Sequence, residues 1–167
     1  MSLDNILEFI SNNLQYSYVL ILVFAFAESL VVVGSILSSA ILFSICVFLY
    51  NNGFLDLYTI VPLAMIGAHL GDVTSFVLGQ RFGPWVVETK FFKKRENIIE
   101  RGNNFIDKYG QFTVVIGRFI PAMRAIVPFL IGMTGLEFKK FYRASILAIS
   151  VWGFGLIILT RGLSSIL

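Results

Sequence analysis

One cysteine and one histidine are all that the sequence offers toward disulfides, metal centres or nucleophilic chemistry. A lone Cys46 excludes an intramolecular disulfide, and its place in an apolar run marks it as a packing residue. A lone His69 excludes the membrane phosphatases that work with a pair of histidines. No Cys/His metal cluster and no Ser-His-Asp set can be assembled, so neither an enzyme nor a cofactor is expected. Charge is scarce as well: 14% of the residues are Asp, Glu, Lys or Arg, against about 25% in an average soluble domain. The N-terminus carries Asp4 and Glu8 and no basic residue. A cleavable signal peptide begins with the opposite sign, so this segment is expected to stay on the protein.

What is present is apolar. Hydrophobic residues make up 57% of the 167, with 17 Phe, and the mean hydropathy is +0.83. That is one domain of an integral membrane protein. The few charges are sorted along it. Residues 81–108 hold seven basic side chains (Arg81, Lys90, Lys93, Lys94, Arg95, Arg101, Lys108) against four acidic ones, which equals the net +3 of the whole chain. Lys139, Lys140 and Arg143 form a second basic group, whereas the Asn51–Leu57 loop holds Asp56 and nothing basic. The positive-inside rule puts both basic groups in the cytoplasm, and the N-terminus and the Asn51–Leu57 loop outside. With no soluble domain to carry them, these basic residues do not suit nucleic acid.

The apolar pattern divides the chain into a short amphipathic helix over 1–16, lying on the membrane surface; a long apolar region, 17–50; a span over 58–79; a basic loop, 81–110, with a helix near 91–108; an apolar region, 111–135; and a last span, 144–160. Residues 17–50 are too long for one crossing and too short for two. They are also flanked on both sides by acidic, non-basic segments, while 111–135 lies between two basic groups. A segment that begins and ends on one side has not crossed once. Both regions therefore read as re-entrant hairpins, the second turning near Pro121 and Pro128. The expected fold is all-α and polytopic, with two inverted repeats (17–80 and 111–167), each a re-entrant hairpin followed by a transmembrane helix. A plain bundle of four to six helices is the alternative.

Four ionisable residues fall inside the apolar stretches: Glu28, Asp72, Arg118 and Arg124. An arginine at the bilayer centre costs about 2.5–3.5 kcal/mol on the insertion scale, and a helix that merely anchors has no use for two. One reading makes them buried ion pairs that tie the two halves together. The other makes the arginines a phosphate site, since a guanidinium donates a planar fork and stays charged when desolvated. The carboxylates then take up protons or gate the site. His69 stands three residues before Asp72 on the same helical face, as a structural hydrogen-bond donor or a proton relay. Gly117, Gly132 and Gly135 mark turns or close helix approach. Trp85 and Trp152 read as interface or packing aromatics.

The stretch GRFIPAMRAIVPFLIGMTGLEFKKF (117–141) resembles the arginine signature of DedA membrane proteins, the SNARE-associated or VTT-domain group. GAHLGDVTSFVLGQRFG (67–83) is similar to that family's Gly-Asp element, with Phe76 in place of Tyr and Arg81 shifted, and FAESLVVVG (26–34) to its first glutamate motif. Together they cover 26 to about 155. The resemblance implies a bacterial inner-membrane protein that moves a lipid phosphate, either undecaprenyl phosphate or a phospholipid, with possible proton coupling. It implies phosphate-binding roles for Arg118 and Arg124, and coupling or gating roles for Glu28 and Asp72. One departure stands out. Where the family has Pro-Gly followed by an acid or Thr, this chain has Ser38, Ser39 and Ala40. The second carboxylate and the helix breaker are both missing. A proton-coupled exchanger of small solutes and a membrane scaffold are the competing functions.

Overall fold

A helix rises 1.5 Å per residue and a bilayer core is about 30 Å thick, so helix length decides what can cross. The structure, a computed structural model, describes residues 12–36, 39–87, 100, 104, 106–120 and 123–164. The described residues are helical or in turns, with no strand. The elements are α1 (Leu14–Ser29), α2 (Ser39–Asn51), α3 (Leu57–Val87), α4 (Thr113–Arg118), α5 (Val127–Met133) and α6 (Phe138–Ser164), with a 3-10 turn at Gly110–Phe112. Two stretches are apolar and long enough to cross a membrane, Leu57–Gly83 in α3 and Phe138–Gly162 in α6. The other helices, at 16, 13, 6 and 7 residues, are not. The order short, short, long therefore occurs twice.

Both apolar regions, 17–50 and 111–135, are broken. The first breaks at Leu30, whose extended backbone (φ −72°, ψ 135°) ends α1. This happens eight residues before Ser38, where the family's Pro-Gly would fall. The second breaks over 119–126. Pro128 does not turn the chain there. It sits in the first turn of α5, where a missing N–H has no helical partner to lose. Pro121, Ser38 and most of the expected helices over 1–16 and 91–108 lie outside the described residues. The sequence ended the first span at Gly79, but α3 runs on to Val87. Its 31 residues measure about 46 Å, so its last turns extend the helix into the basic loop, with Arg81 exposed.

α3 is the organising helix, packing on α1 along its first half and on α5 along its second, with α6 alongside. One apolar cluster joins α1, α2 and the start of α3 around Ile21, Cys46, Leu49, Ile60 and Ala64. A second joins the end of α3 to α4, α5 and α6 around Phe76, Val114, Val127, Ile131 and Phe141. A third, Val31 with Ile126, Phe129 and Leu130, is where the two breaks meet. Glycine permits the tightest crossing: a Cβ on Gly79 would strike the Phe129 carbonyl, and one on Gly132 the Phe76 carbonyl. Gly117 lies against Val127 in the same way, and Gly135 turns the chain into α6 at φ 74°. Outside, Leu147, Val151, Phe154 and Ile158 form an exposed apolar stripe along α6, and Ile66 and Leu70 one along α3. A soluble surface rarely leaves such stripes in water.

Candidate functional site

Each of the four intramembrane charges is set by a helix end or a helix face. Glu28 stands in the last turn of α1, Asp72 on the buried face of α3, Arg118 at the end of α4, and Arg124 in the break that follows. The arginines of the second half reach the carboxylates of the first. Arg118 Nη1 lies 2.5 Å from Asp72 Oδ2, and Arg124 pairs with Glu28. All four side chains are at most 9% exposed, so neither pair is a surface bridge of negligible worth. The ion-pair reading of the sequence is thus realised in the geometry.

The two pairs are supported differently. Ser145 Oγ on α6 donates to Asp72 Oδ2 at 3.2 Å, and the same hydroxyl lies 3.1 Å from His69 Nδ1. On its other side the Arg118 guanidinium faces the Trp152 ring at 5.4 Å, within cation–π range. Yet the pair uses only part of its capacity. Asp72 Oδ1 and Arg118 Nε are buried and bonded to nothing among the described residues. Arg124 instead donates to the Glu28 backbone carbonyl, at 3.3 Å, as well as pairing with its carboxylate. This offsets an unfavourable placement, since a helix C-terminus repels an anion and leaves carbonyls without partners. Ser75, one turn along α3 from Asp72, completes the break. Its Oγ donates to the Ser29 carbonyl at 3.1 Å and accepts from the Val31 N–H at 3.0 Å.

A cleft of about 370 Å³ opens beside the second pair, lined by Glu28, Ala40, Phe43, Phe119, Trp152 and Leu156 among others. Glu28 is its one ionisable wall residue. Ala40, where the family's second acid would stand, shares that wall. Among the described residues no three His, Cys, Asp or Glu side chains come together as metal ligands would.

His69, Glu28, Asp72, Arg118 and Arg124 thus gather where the two breaks meet, and Pro128 borders them on α5. Sequence reasoning missed Ser145 and Ser75, and read Trp152 as an interface or packing aromatic. Ser75 was within reach, three residues beyond Asp72 on the same face. Ser145 carried no signal beyond being a hydroxyl in an apolar helix.

Comparison with known proteins agrees with this picture. The VTT domain family matches residues 36–161. A membrane protein of Buchnera aphidicola is 33% identical over 144 residues, covering 86% of this chain and 56% of that protein. The inner membrane protein YabI of Escherichia coli is 31% identical over 144 residues, covering 86% and 57%. Protein DedA of E. coli is 27% identical over 101 residues, covering 59% and 45%. The chain spans little more than half the length of the first two. No solved structure matches it. Apolar helices broken around paired buried charges and a domain match over 36–161 lead to one conclusion: the chain belongs to the VTT-domain family, the DedA group of membrane proteins.

Proposed function

We propose that the chain carries a lipid phosphate, a polyprenyl phosphate or a phospholipid, across the bacterial inner membrane. Arg118 and Arg124 bind the phosphate, and Asp72 and Glu28 hold the arginines until it arrives. In this reading each helix–break–helix segment is re-entrant. The units 17–80 and 111–167 are then inverted repeats, with the loop 81–110 in the cytoplasm. One observation carries the proposal. Two guanidiniums are buried at the junction of two helix breaks, each held by a single carboxylate, and Arg118 Nε has no bond among the described residues. Irregular backbone at membrane depth is tolerated where protein buries it or a cavity reaches it, and ionisable groups there mark substrate and proton paths. A phosphate oxygen suits the unused Nε, and a second displaces the carboxylate from Nη1. The apolar cleft beside Glu28 has room for part of a lipid chain.

The test is reconstitution in liposomes with headgroup-labelled polyprenyl phosphate or phospholipid. Arg118→Lys and Arg124→Lys keep a charge opposite each carboxylate but lose the fork. Flipping is expected to fall by at least about tenfold in each, the loss of one charge-assisted hydrogen bond of about 1.5 kcal/mol or more. Wild-type rates in both would refute the assigned role.

A scaffold is the second reading, and the burial of each arginine against a carboxylate of the other half favours it. The discriminating variant replaces Asp72 and Arg118 together with Leu and Met. A purely structural pair tolerates an apolar replacement of similar volume, so a scaffold keeps its cellular function. A phosphate site does not.

A further inference from the structure

The chain of contacts His69–Ser145–Asp72–Arg118 has a direction that its donors and acceptors fix. A carboxylate paired with a guanidinium only accepts hydrogen bonds. Ser145 has one hydrogen, and at 3.2 Å from Asp72 Oδ2 it goes to that carboxylate. Its oxygen is then left to accept from His69 Nδ1, at 3.1 Å. His69 must therefore carry its hydrogen on Nδ1, the minor tautomer of a free neutral imidazole. Its Nε2 is a bare lone pair, buried and without a partner among the described residues. An orphaned buried acceptor costs free energy unless it has a use.

We propose that His69, Ser145 and Asp72 form a proton relay that controls the Arg118 ion pair. A proton taken up at His69 Nε2 makes the ring an imidazolium. The Nδ1 proton then passes to Ser145 Oγ while the Ser145 hydrogen passes to Asp72 Oδ2. Only N–H and O–H bonds form and break. The ring ends neutral with its hydrogen on Nε2, Ser145 keeps one hydrogen, and Asp72 becomes a neutral acid. The two bonds that join His69, Ser145 and Asp72 reverse direction and neither is lost: Asp72 now donates to Ser145, and Ser145 to His69 Nδ1, while Arg118 remains a donor. The arriving positive charge is cancelled on Asp72, and Arg118 is left without its counter-ion. The last consequence, that Arg118 is then free for a phosphate, rests on the function proposed above; the relay itself does not.

The groups that face the relay are few. Tyr142 on α6 meets the His69 ring edge-on at 4.8 Å and is itself exposed. Arg118 is the only ionisable residue in α4, and α5 has none. From α1 and the second break come Glu28 and Arg124, already paired with each other.

The single histidine makes the test direct, because ¹⁵N-histidine labels one ring. In the full chain in liposomes at neutral pH, the ring nitrogen signals are expected to show hydrogen on Nδ1. Ser145→Ala should move it to Nε2, while Ser145→Thr, which keeps the hydroxyl, should leave it on Nδ1. After a downward pH jump, the carboxylic C=O infrared band that Asp72→Asn deletes should rise in the wild type. In Ser145→Ala it should rise at least about a hundredfold more slowly, the usual worth of a positioned proton-transfer group. An Nε2 hydrogen in the wild type, or an unchanged rate in Ser145→Ala, would overturn the relay. Neither readout measures lipid movement, so the relay and lipid transport stand or fall separately.

Discussion

Arg118 and Arg124 are six residues apart and do not share a carboxylate. On one unbroken helix they would point about 120° apart. The break after α4 instead sends one toward α3 and the other back to the end of α1. Arg118 meets a carboxylate already fixed by Ser145 and lies against an aromatic ring. Arg124 meets a carboxylate that lines a cleft of about 370 Å³. The first pair is enclosed by neighbours and the second stands at an opening. Equal charges, both buried, thus acquire different freedom from what surrounds their partners.

That difference is sharpest in the cost of removing each partner. Asp72→Ala strands an enclosed guanidinium, and a broken buried pair costs about 3–5 kcal/mol. Glu28→Ala strands one beside an open cleft, so its cost is expected near the low end of that range or below it. Thermal unfolding in detergent compares them directly. Equal losses would abolish the distinction between an enclosed pair and an open one.

Next in size is the helix crossing that brings the second break to α3. Gly132→Ala sets a methyl against the Phe76 carbonyl, and Gly79→Ala one against Phe129. Backbone does not yield as a flexible side chain does, and overpacking of this kind costs about 1–3 kcal/mol. Because α5 follows the break that holds Arg124, the displacement should weaken the Arg124–Glu28 pair more than the Arg118–Asp72 pair. Retention of the His69 ¹⁵N signal alongside a lowered unfolding temperature would bear this out.

Much of this arrangement was legible in the residues. Residues 17–50, too long for one crossing and too short for two, and residues 111–135, set between two basic groups, were both expected to break, and both do. Of the two readings of the four charges, the geometry realises the ion pairs. What periodicity does not encode is which acid takes which arginine, because that depends on how the two halves dock through α3. Ser145 was illegible for the same reason: a helical face is readable from spacing, but the partner across it is not. The first break, at Leu30, falls where Glu28, Gly34 and the Ser35/Ser38/Ser39 group interrupt the apolar run. It needs no Pro-Gly, because Ser75 on another helix satisfies the backbone groups that the break releases.

A charge can also be added to the open pair alone. Ala40→Asp places a second carboxylate on the cleft wall that holds Glu28. It repels Glu28 but attracts Arg124, and because the two effects oppose each other the net change in stability should fall below the about 1–3 kcal/mol expected of the glycine variants. The His69 signals should not move, since the enclosed pair does not line the cleft. A shifted His69 tautomer would mean that the two pairs are one electrostatic unit.

Trp152 gives the smallest expected effect and the finest test, because it touches both regions. Its ring faces the Arg118 guanidinium at 5.4 Å and also forms part of the cleft wall beside Glu28. Trp152→Phe keeps an aromatic face but weakens the cation–π attraction, an expected loss of about 0.5–1 kcal/mol. Loss of area toward the cleft would cost stability as well, so the single variant does not locate the effect. A double-mutant cycle does. Trp152→Phe combined with Arg118→Lys should be non-additive, because both changes act on one contact. Combined with Arg124→Lys it should be additive, because Arg124 reaches the cleft only through Glu28. Non-additivity with Arg124 instead would place the working face of Trp152 on the open pair, and the enclosed pair would then be held by Ser145 alone.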